Sequence, residues 1–375
     1  MLASSRVFVI DLPLGCWREV CRSGAFISSY KAARWIKSTT SLQRFHYTSD
    51  SNEVYSDVMI RRSSSLLLLL GAMTLTAAPA VAQDAPSDAV EDIVVTARRI
   101  EAPMWEVRRG DSVLILVGSI DGLHRKMEWR TDALISAVDR ADRVLFPVEG
   151  RASLADVGRL IWRFRTLTRL PNGRTSADYL SPDLEARVER LTGEGPTRDS
   201  MLILSGDLME RGGYSSGGRP VSGLVRQATR ANRTPAEPVG IFRGDELIEK
   251  VLTTPPERYL DCIDAAATAA EAGVEAGAQR AENWRLRRIP AVLDSPLEKA
   301  ATACSYWSVM AQADDLRRIW NMAVDKTLAE DGVTVAIAPL RLLAEPNGLL
   351  DRLEAEGLEP IGPEWRPSAP AQSAR

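Results

Sequence analysis

Two side chains that could bind a metal follow directly after an apolar run of the chain. Asp121 and His124 come after residues 113–120, and Glu149 follows the next apolar stretch. Carboxylates and imidazoles bind divalent cations, so these three residues form one candidate ligand set for Mn, Mg or Zn. Ser119 is close in sequence, and a Ser-His-Asp hydrolase would need His124 as its base, but Ser119 does not lie in the Gly-x-Ser-x-Gly elbow typical of α/β-hydrolases. A surface or turn position is the simpler interpretation of His124, and we favour it.

These residues need a strand, a turn and a helix to hold them. Residues 113–120 are typical of a buried strand, and Gly118 predicts a turn at its end. Residues 104–108 precede it across a turn and complete a β-hairpin. Near the end of the chain a second apolar strand, residues 333–338, is again followed by a turn and a helix. The sequence therefore predicts an α+β fold, a mixed central β-sheet flanked by helices, with two pseudo-related strand–turn–helix halves.

Two other segments stand out between these halves. Residues 153–170 have the spacing of an amphipathic, basic helix, with Ile161 and Phe164 on its inner face. Residues 212–218 are rich in glycine but lack the Gly-Lys-Ser/Thr ending of a phosphate loop. A flexible loop is the better interpretation of that stretch.

The first part of the chain predicts export. A pair of arginines precedes an apolar run at residues 66–78, and a small-residue site ends at Ala82. This order is typical of a secretory signal peptide at residues 59–82, and the run is too short for a membrane span, which needs ~20 apolar residues. We expect cleavage near Ala82, a periplasmic or secreted product, and no transmembrane span in the mature chain. Residues 1–58 are then a mis-assigned upstream extension or, alternatively, a genuine, poorly ordered one.

The remaining chain divides into a linker at 83–102, a domain at 103–365 and a disordered tail at 366–375. Within the linker, the segment from Glu91 to Arg98 resembles the TonB-box segment of outer-membrane receptors. A TonB-like protein is therefore one candidate partner, bound by strand addition. A short strand or tether in the chain's own fold is the favoured alternative.

Charge and cysteine content narrow the function further. The chain has 47 basic and 50 acidic residues, of which nine and five fall within residues 1–82, leaving a formal net charge of −7. An acidic chain argues against nucleic acid as a partner. Cys262 and Cys304 predict a structural disulfide in an oxidising compartment, and two buried free thiols are the alternative.

Four segments of the chain form a recognisable series. They are Met104-Trp105-Glu106-Val107, Gly118-Ser119-Ile120, Glu128-Trp129-Arg130, and the block from Val335-Ala336-Ile337 to Gly357-Leu358-Glu359-Pro360. In this order they resemble the TraB/GumN family across residues 102–363. The resemblance implies an α+β core whose two related halves bring histidines and glutamates to a divalent metal, as in the metal-dependent Tiki proteases.

The chain departs from that family pattern at each metal position. Asp121 stands at the first histidine, and Arg341 stands at the last. The family's first glutamate falls at Pro147, two residues before Glu149, and its central Gly-Leu-Glu-Thr aligns with residues 240–243. Arginine cannot bind a metal because its guanidinium stays protonated and has no free lone pair. It could instead neutralise Asp121 across the former metal cavity.

Two functions remain open at this point. The first is an exported TraB/GumN-like protein that has lost metal-dependent hydrolase activity, holds no metal or cofactor, and serves as a binding or scaffolding module for an unknown envelope component. The alternative is an active divalent-metal-dependent hydrolase or peptidase with Asp121, His124 and Glu149 as altered ligands. The candidate pocket is the same in both cases: Gly118, Ser119, Asp121, His124, Glu149 and Arg341.

Overall fold

The computed structural model describes residues 101–124, 126–216 and 218–367. The predicted upstream extension, the signal peptide and the segment from Glu91 to Arg98 lie outside these residues, so the expectations for them stay predictions. Within the described part of the chain, no helix is both long and apolar enough to cross a membrane.

The strands of the described residues form two sheets, one mixed and one parallel. These strands are β1 (Met104–Arg109), β2 (Ser112–Ser119), β3 (Arg143–Phe146), β4 (Glu149–Arg151), β5 (Ala236–Pro238), β6 (Ile241–Arg243) and β7 (Gly332–Pro339). The central sheet has the order β1-β2-β7-β3-β5. Its β1–β2 pair is antiparallel, and its other pairs are parallel. The second sheet pairs β4 with β6 in parallel.

The middle of the central sheet is formed by the two most apolar strands, β2 and β7. Residues 114–117 and 335–338 are buried without a break. Continuous apolar runs of this kind are typical of parallel strands that are covered on both faces.

Fourteen α-helices of the described residues complete the fold. They are α1 (Asp132–Asp139), α2 (Leu154–Trp162), α3 (Phe164–Thr168), α4 (Pro182–Thr192), α5 (Met201–Arg211), α6 (Pro220–Asn232), α7 (Gly244–Thr253), α8 (Leu260–Arg285), α9 (Ile289–Asp294), α10 (Pro296–Ala303), α11 (Tyr306–Val309), α12 (Ala313–Leu328), α13 (Leu340–Ala344) and α14 (Leu349–Ala355).

The fold has two apolar cores. One surrounds the central sheet and includes Trp105, Trp284 and Trp320. The other lies among α4, α5, α8 and α10 and includes Ile263 and Leu297. The long helix α8 supplies side chains to both cores, and a non-helical Gly273 interrupts it between them.

Most of the predicted architecture is confirmed. The fold is α+β, with a mixed central sheet flanked by helices, and β1 and β2 form the predicted hairpin. Cys262 and Cys304 form the predicted disulfide, which joins α8 to the end of α10. The two strand–turn–helix units lie side by side, because β2 and β7 are neighbours in the sheet. Their relation as two halves of one repeat stays a prediction.

One predicted inner position, Ile161, is wrong, whereas Phe164 is half-buried as expected. Ile161 points outward with 69% of its surface exposed, because the residue that α2 buries is Asp156. The helix also ends at Trp162, and α3 begins only after a non-helical Arg163. Arg366, assigned to the tail, pairs with Asp351 and stacks on Trp365.

Candidate functional site

The carboxyl ends of β2 and β7 lie side by side and define the candidate site. Ser119 is opposite Pro339 in the parallel register, so residues 120–124 and helix α13 leave the same edge of the sheet. Gly118 allows this close approach, since a Cβ there would lie 2.6 Å from Leu340 Cδ1. Ser119 Oγ donates a hydrogen bond of 3.0 Å to the Ala338 carbonyl. The hydroxyl therefore links the two strands instead of pointing at a substrate.

Asp121 is held by two arginines that come from different helical regions. Its side chain is 58% exposed and lies 3.4 Å from Arg219 Nε. Its backbone carbonyl accepts a hydrogen bond of 2.9 Å from Arg280 Nη2. The side chain and the backbone of the turn are therefore both oriented by guanidinium groups.

Arg280 itself belongs to a buried ion pair. Arg280 on α8 donates through Nε to Glu298 Oε2 at 2.8 Å, and the two side chains are only 1% and 8% exposed. Two buried charges are tolerated only when each is paired and hydrogen-bonded. Glu298 supplies the countercharge, and Asp121 supplies the further acceptor.

The glycine-rich loop between α5 and α6 closes over the same turn. Ser215 N–H donates 2.9 Å to the Gly122 carbonyl. Gly122 has a φ of +77°, and a Cβ there would lie 2.3 Å from the ring of Tyr214. Burial raises the pKa of Tyr214 to about 12, and the nearby Asp121 adds to this shift. Tyr214 is thus a neutral phenol at physiological pH.

His124 lies on the exposed side of this turn. Its Nδ1 accepts a hydrogen bond of 3.2 Å from the backbone N–H of Lys126. That bond occupies Nδ1 as an acceptor, so the imidazole is oriented by the backbone of its own turn.

Glu149 lies on the smaller sheet, not on the turn. It begins β4, lies opposite Ile241 of β6, and forms an ion pair with Arg226 of α6. The Arg226 guanidinium also stacks 4.3 Å from the centre of the Phe146 ring. Phe242, where the resemblance places a second glutamate, packs edge-on against Trp307 at 5.1 Å.

Arg341, the second residue of α13, contacts the backbone of another helix. Its Nη2 donates a hydrogen bond of 2.6 Å to the Leu293 carbonyl at the end of α9. Within the described residues, its Nε is buried without a hydrogen-bond partner. The sequence suggested a salt bridge between Arg341 and Asp121. Among the described residues no such pair is present, and Asp121 pairs with Arg219 instead.

Comparison with known protein families shows which family the chain belongs to. A family model described as the TraB/PrgY/gumN family matches residues 103–360. The chain belongs to this family. Comparisons with curated proteins and with solved structures give no match.

In this TraB/PrgY/gumN protein, the residues at the expected metal positions do not form a metal-binding group. Over residues 101–124, 126–216 and 218–367, no three His, Cys, Asp or Glu side chains are placed to hold an ion together. Asp121 and Glu149 each have an arginine as ion-pair partner. The alternative set of Asp121, His124 and Glu149 therefore does not fit a divalent metal as the side chains stand.

A cavity of about 350 Å³ lies elsewhere in this family member, beside the end of α7 and the segment after α11. None of its lining residues belongs to the two turns. They are Lys250, Thr253, Thr254, Pro255, Arg258, Val309, Met310 and Gln312. The opening of this cavity is wide. We assign the candidate site to the turns after β2 and β7, because the family positions and the buried pair of Arg280 and Glu298 lie there.

Sequence reasoning missed four residues around the turn: Tyr214, Arg219, Arg280 and Glu298. A signal for Arg280 existed, because it shares the helical phase of buried positions such as Gly277 and Trp284. A charged side chain on the buried face of a helix requires a partner of opposite charge.

A second missed signal lies in the glycine-rich loop. Residues 213–217 spell Gly-Tyr-Ser-Ser-Gly, which has the letters of a nucleophile elbow. That elbow joins a strand to a helix, whereas this loop joins helix α5 to helix α6. The pattern therefore lacks the backbone context that exposes a nucleophilic serine.

Proposed function

We propose that this chain is an exported, non-catalytic member of its family that acts as a binding or scaffolding module of the cell envelope. The observation that carries this proposal is the pairing of both candidate carboxylates, Asp121 and Glu149, with a cation. Asp121 faces Arg219, Glu149 faces Arg226, and the position of the last histidine is itself Arg341.

The chemistry of these pairs supports the loss of metal. A divalent ion at Asp121 would have to displace Arg219 and sit close to the positive guanidinium of Arg280. Asp121 is exposed, but the Arg280 guanidinium is buried, and water screens the repulsion between a buried charge and a nearby cation less than it screens exposed charges. Arg341 adds a third cation that has no lone pair to offer.

Metal content tests this proposal directly. The mature protein, purified and then equilibrated separately with Mn, Zn and Mg, should retain far less than one ion per chain. Asp121→Ala should give the same result, as should the control Asp132→Ala at an exposed position of α1. About one ion per chain, lost in Asp121→Ala but kept in Asp132→Ala, would instead establish the alternative metal-dependent hydrolase.

Complementation separates a scaffold from an enzyme without knowledge of the substrate. A strain lacking the gene would be scored for envelope integrity and then supplied with the Asp121→Ala/Glu149→Ala double variant. A non-catalytic module predicts full rescue as long as the variant accumulates to the normal level. Failure of an equally abundant variant to rescue, with rescue by Asp132→Ala, would contradict the proposal.

Export is the second part of the proposal and has its own measurement. The disulfide between Cys262 and Cys304 supports an oxidising compartment, where such bonds persist. Fractionation and intact-mass analysis should find a periplasmic or secreted product that begins near Gln83. A cytoplasmic product that retains residues 59–82 would exclude this location.

A further inference from the structure

Helix α2 exposes its large apolar side chains instead of burying them. Leu154, Ile161 and Trp162 have 76%, 69% and 87% of their surface exposed. Ile161 and Trp162 follow Leu154 by seven and eight residues, a spacing that places all three on one face of a helix. An exposed apolar stripe of this kind, unlike a single exposed apolar residue, marks a surface that contacts something.

The helix that carries this stripe is well defined at its start. Ser153 caps it by accepting a hydrogen bond from the Asp156 backbone, and the Asp156 side chain accepts one of 2.7 Å from the Ser153 backbone. Asp156 is buried on the opposite side from the stripe. The stripe therefore projects from a capped helix and is not the product of a frayed segment.

Arginines surround the stripe without matching acids. Arg159, Arg163 and Arg165 are all exposed, and none has a carboxylate at salt-bridge distance within the described residues. The one acidic residue among positions 151–169 is Asp156, which is occupied by the cap. This patch is strongly basic on a chain whose formal net charge is −3.

We infer that α2 and α3 form a docking surface for an anionic phospholipid bilayer. Trp162, Ile161 and Leu154 would enter the boundary between headgroups and acyl chains, where tryptophan is favoured. The arginines would contact lipid phosphates, which attract basic groups at a membrane surface. The protein would lie on the bilayer through this face.

Charge complementarity favours a bilayer over a second copy of the chain as the occupant. Two copies packed through this face would place their unpaired arginines against each other, and like charges oppose association. An anionic surface supplies the negative charge that this patch lacks. The inference does not depend on the proposed loss of metal.

Vesicle binding tests the inference. The purified protein should co-sediment with phosphatidylglycerol-containing vesicles and not with pure phosphatidylcholine vesicles, and high salt should weaken the binding. Trp162→Ser and Arg159→Glu/Arg163→Glu should each reduce binding at least tenfold. The matched control is Met322→Ser on α12, which removes another exposed apolar side chain and should bind as the wild type does.

A second readout keeps the test independent of folding. Because Trp162 is exposed, its fluorescence should shift to the blue on addition of anionic vesicles, and the shift should vanish in Trp162→Phe. Circular dichroism should show unchanged folding in all variants. Absence of binding to anionic vesicles, or equal binding by Trp162→Ser, would overturn the inference. So would a wild-type dimer in light scattering that becomes a monomer in Trp162→Ser, since the stripe would then belong to self-association.

Discussion

Arg280 and Glu298 form a buried ion pair that also holds the backbone of Asp121. The guanidinium donates both to the Glu298 carboxylate and to the Asp121 carbonyl. One arginine thus connects the second apolar core, where α8 and α10 pack, to the turn at the end of β2. The turn is positioned by a charge that lies far away in sequence.

Removing one partner of this pair should strongly destabilise the protein. Glu298→Gln leaves Arg280 charged and buried, and we expect a loss of about 3–5 kcal/mol in the free energy of unfolding. Urea unfolding followed by circular dichroism measures it. The control is Asp315→Asn in the exposed pair with Arg318, which should cost less than about 1 kcal/mol. Similar costs for both variants would contradict the assigned role of the buried pair.

Gly122 should not tolerate a side chain, for two reasons that can be separated. Its φ of +77° disfavours alanine by about 1–2 kcal/mol, and contact with Tyr214 adds about 1–3 kcal/mol. Gly110→Ala is the matched control, because Gly110 has a φ of +58° but no heavy atom within 4 Å of its Cβ. Denaturant midpoints should show the larger loss for Gly122→Ala. In a Tyr214→Ala background, the excess over Gly110→Ala should disappear.

Tyr214 makes the protein sensitive to alkaline pH. Below pH 10 the phenol is protonated in both folded and unfolded chains, so it contributes no pH dependence. Between pH 10 and about 12 the unfolded chain releases this proton while the folded chain keeps it, so the free energy of unfolding falls as pH rises. The loss should reach about 2–3 kcal/mol.

Tyr214→Phe provides the comparison for this alkaline effect. The variant should lose less stability than the wild type between pH 10 and 12, and its ultraviolet titration should lack one late tyrosinate component. An identical titration curve for the two proteins would show that Tyr214 is not the buried phenol.

The disulfide should contribute strongly to stability. Replacing both cysteines, Cys262→Ala/Cys304→Ala, removes a link between residues separated by 42 positions, which the chain-entropy model values at about 4 kcal/mol. Thermal or urea unfolding with and without reductant measures this contribution. Reductant should destabilise the wild type and leave the double variant unchanged. Two free thiols detected in the non-reduced protein would refute the pairing.

Local sequence patterns were sufficient to predict the main strands and the fold class. The apolar runs that became β2 and β7 are buried without a break at residues 114–117 and 335–338, so each run shows by its own composition that it is a buried strand. The same holds for the β1–β2 hairpin, which needs only a short turn. The disulfide could be predicted because the 83–375 region holds only two cysteines.

The site was beyond such patterns because its contacts are long-range. Arg219 reaches Asp121 from the loop before α6, and Arg280 reaches it across 159 positions of sequence. Whether a carboxylate meets a metal or a guanidinium depends on how helices pack against the sheet edge, and hydrophobic periodicity does not encode that packing. The sequence alone determined that aspartate stands at position 121 and arginine at position 341, where the resemblance implies histidines. Only the tertiary structure decided that Asp121 and Glu149 each pair with an arginine, since charges that are remote in the chain become neighbours only when the chain folds.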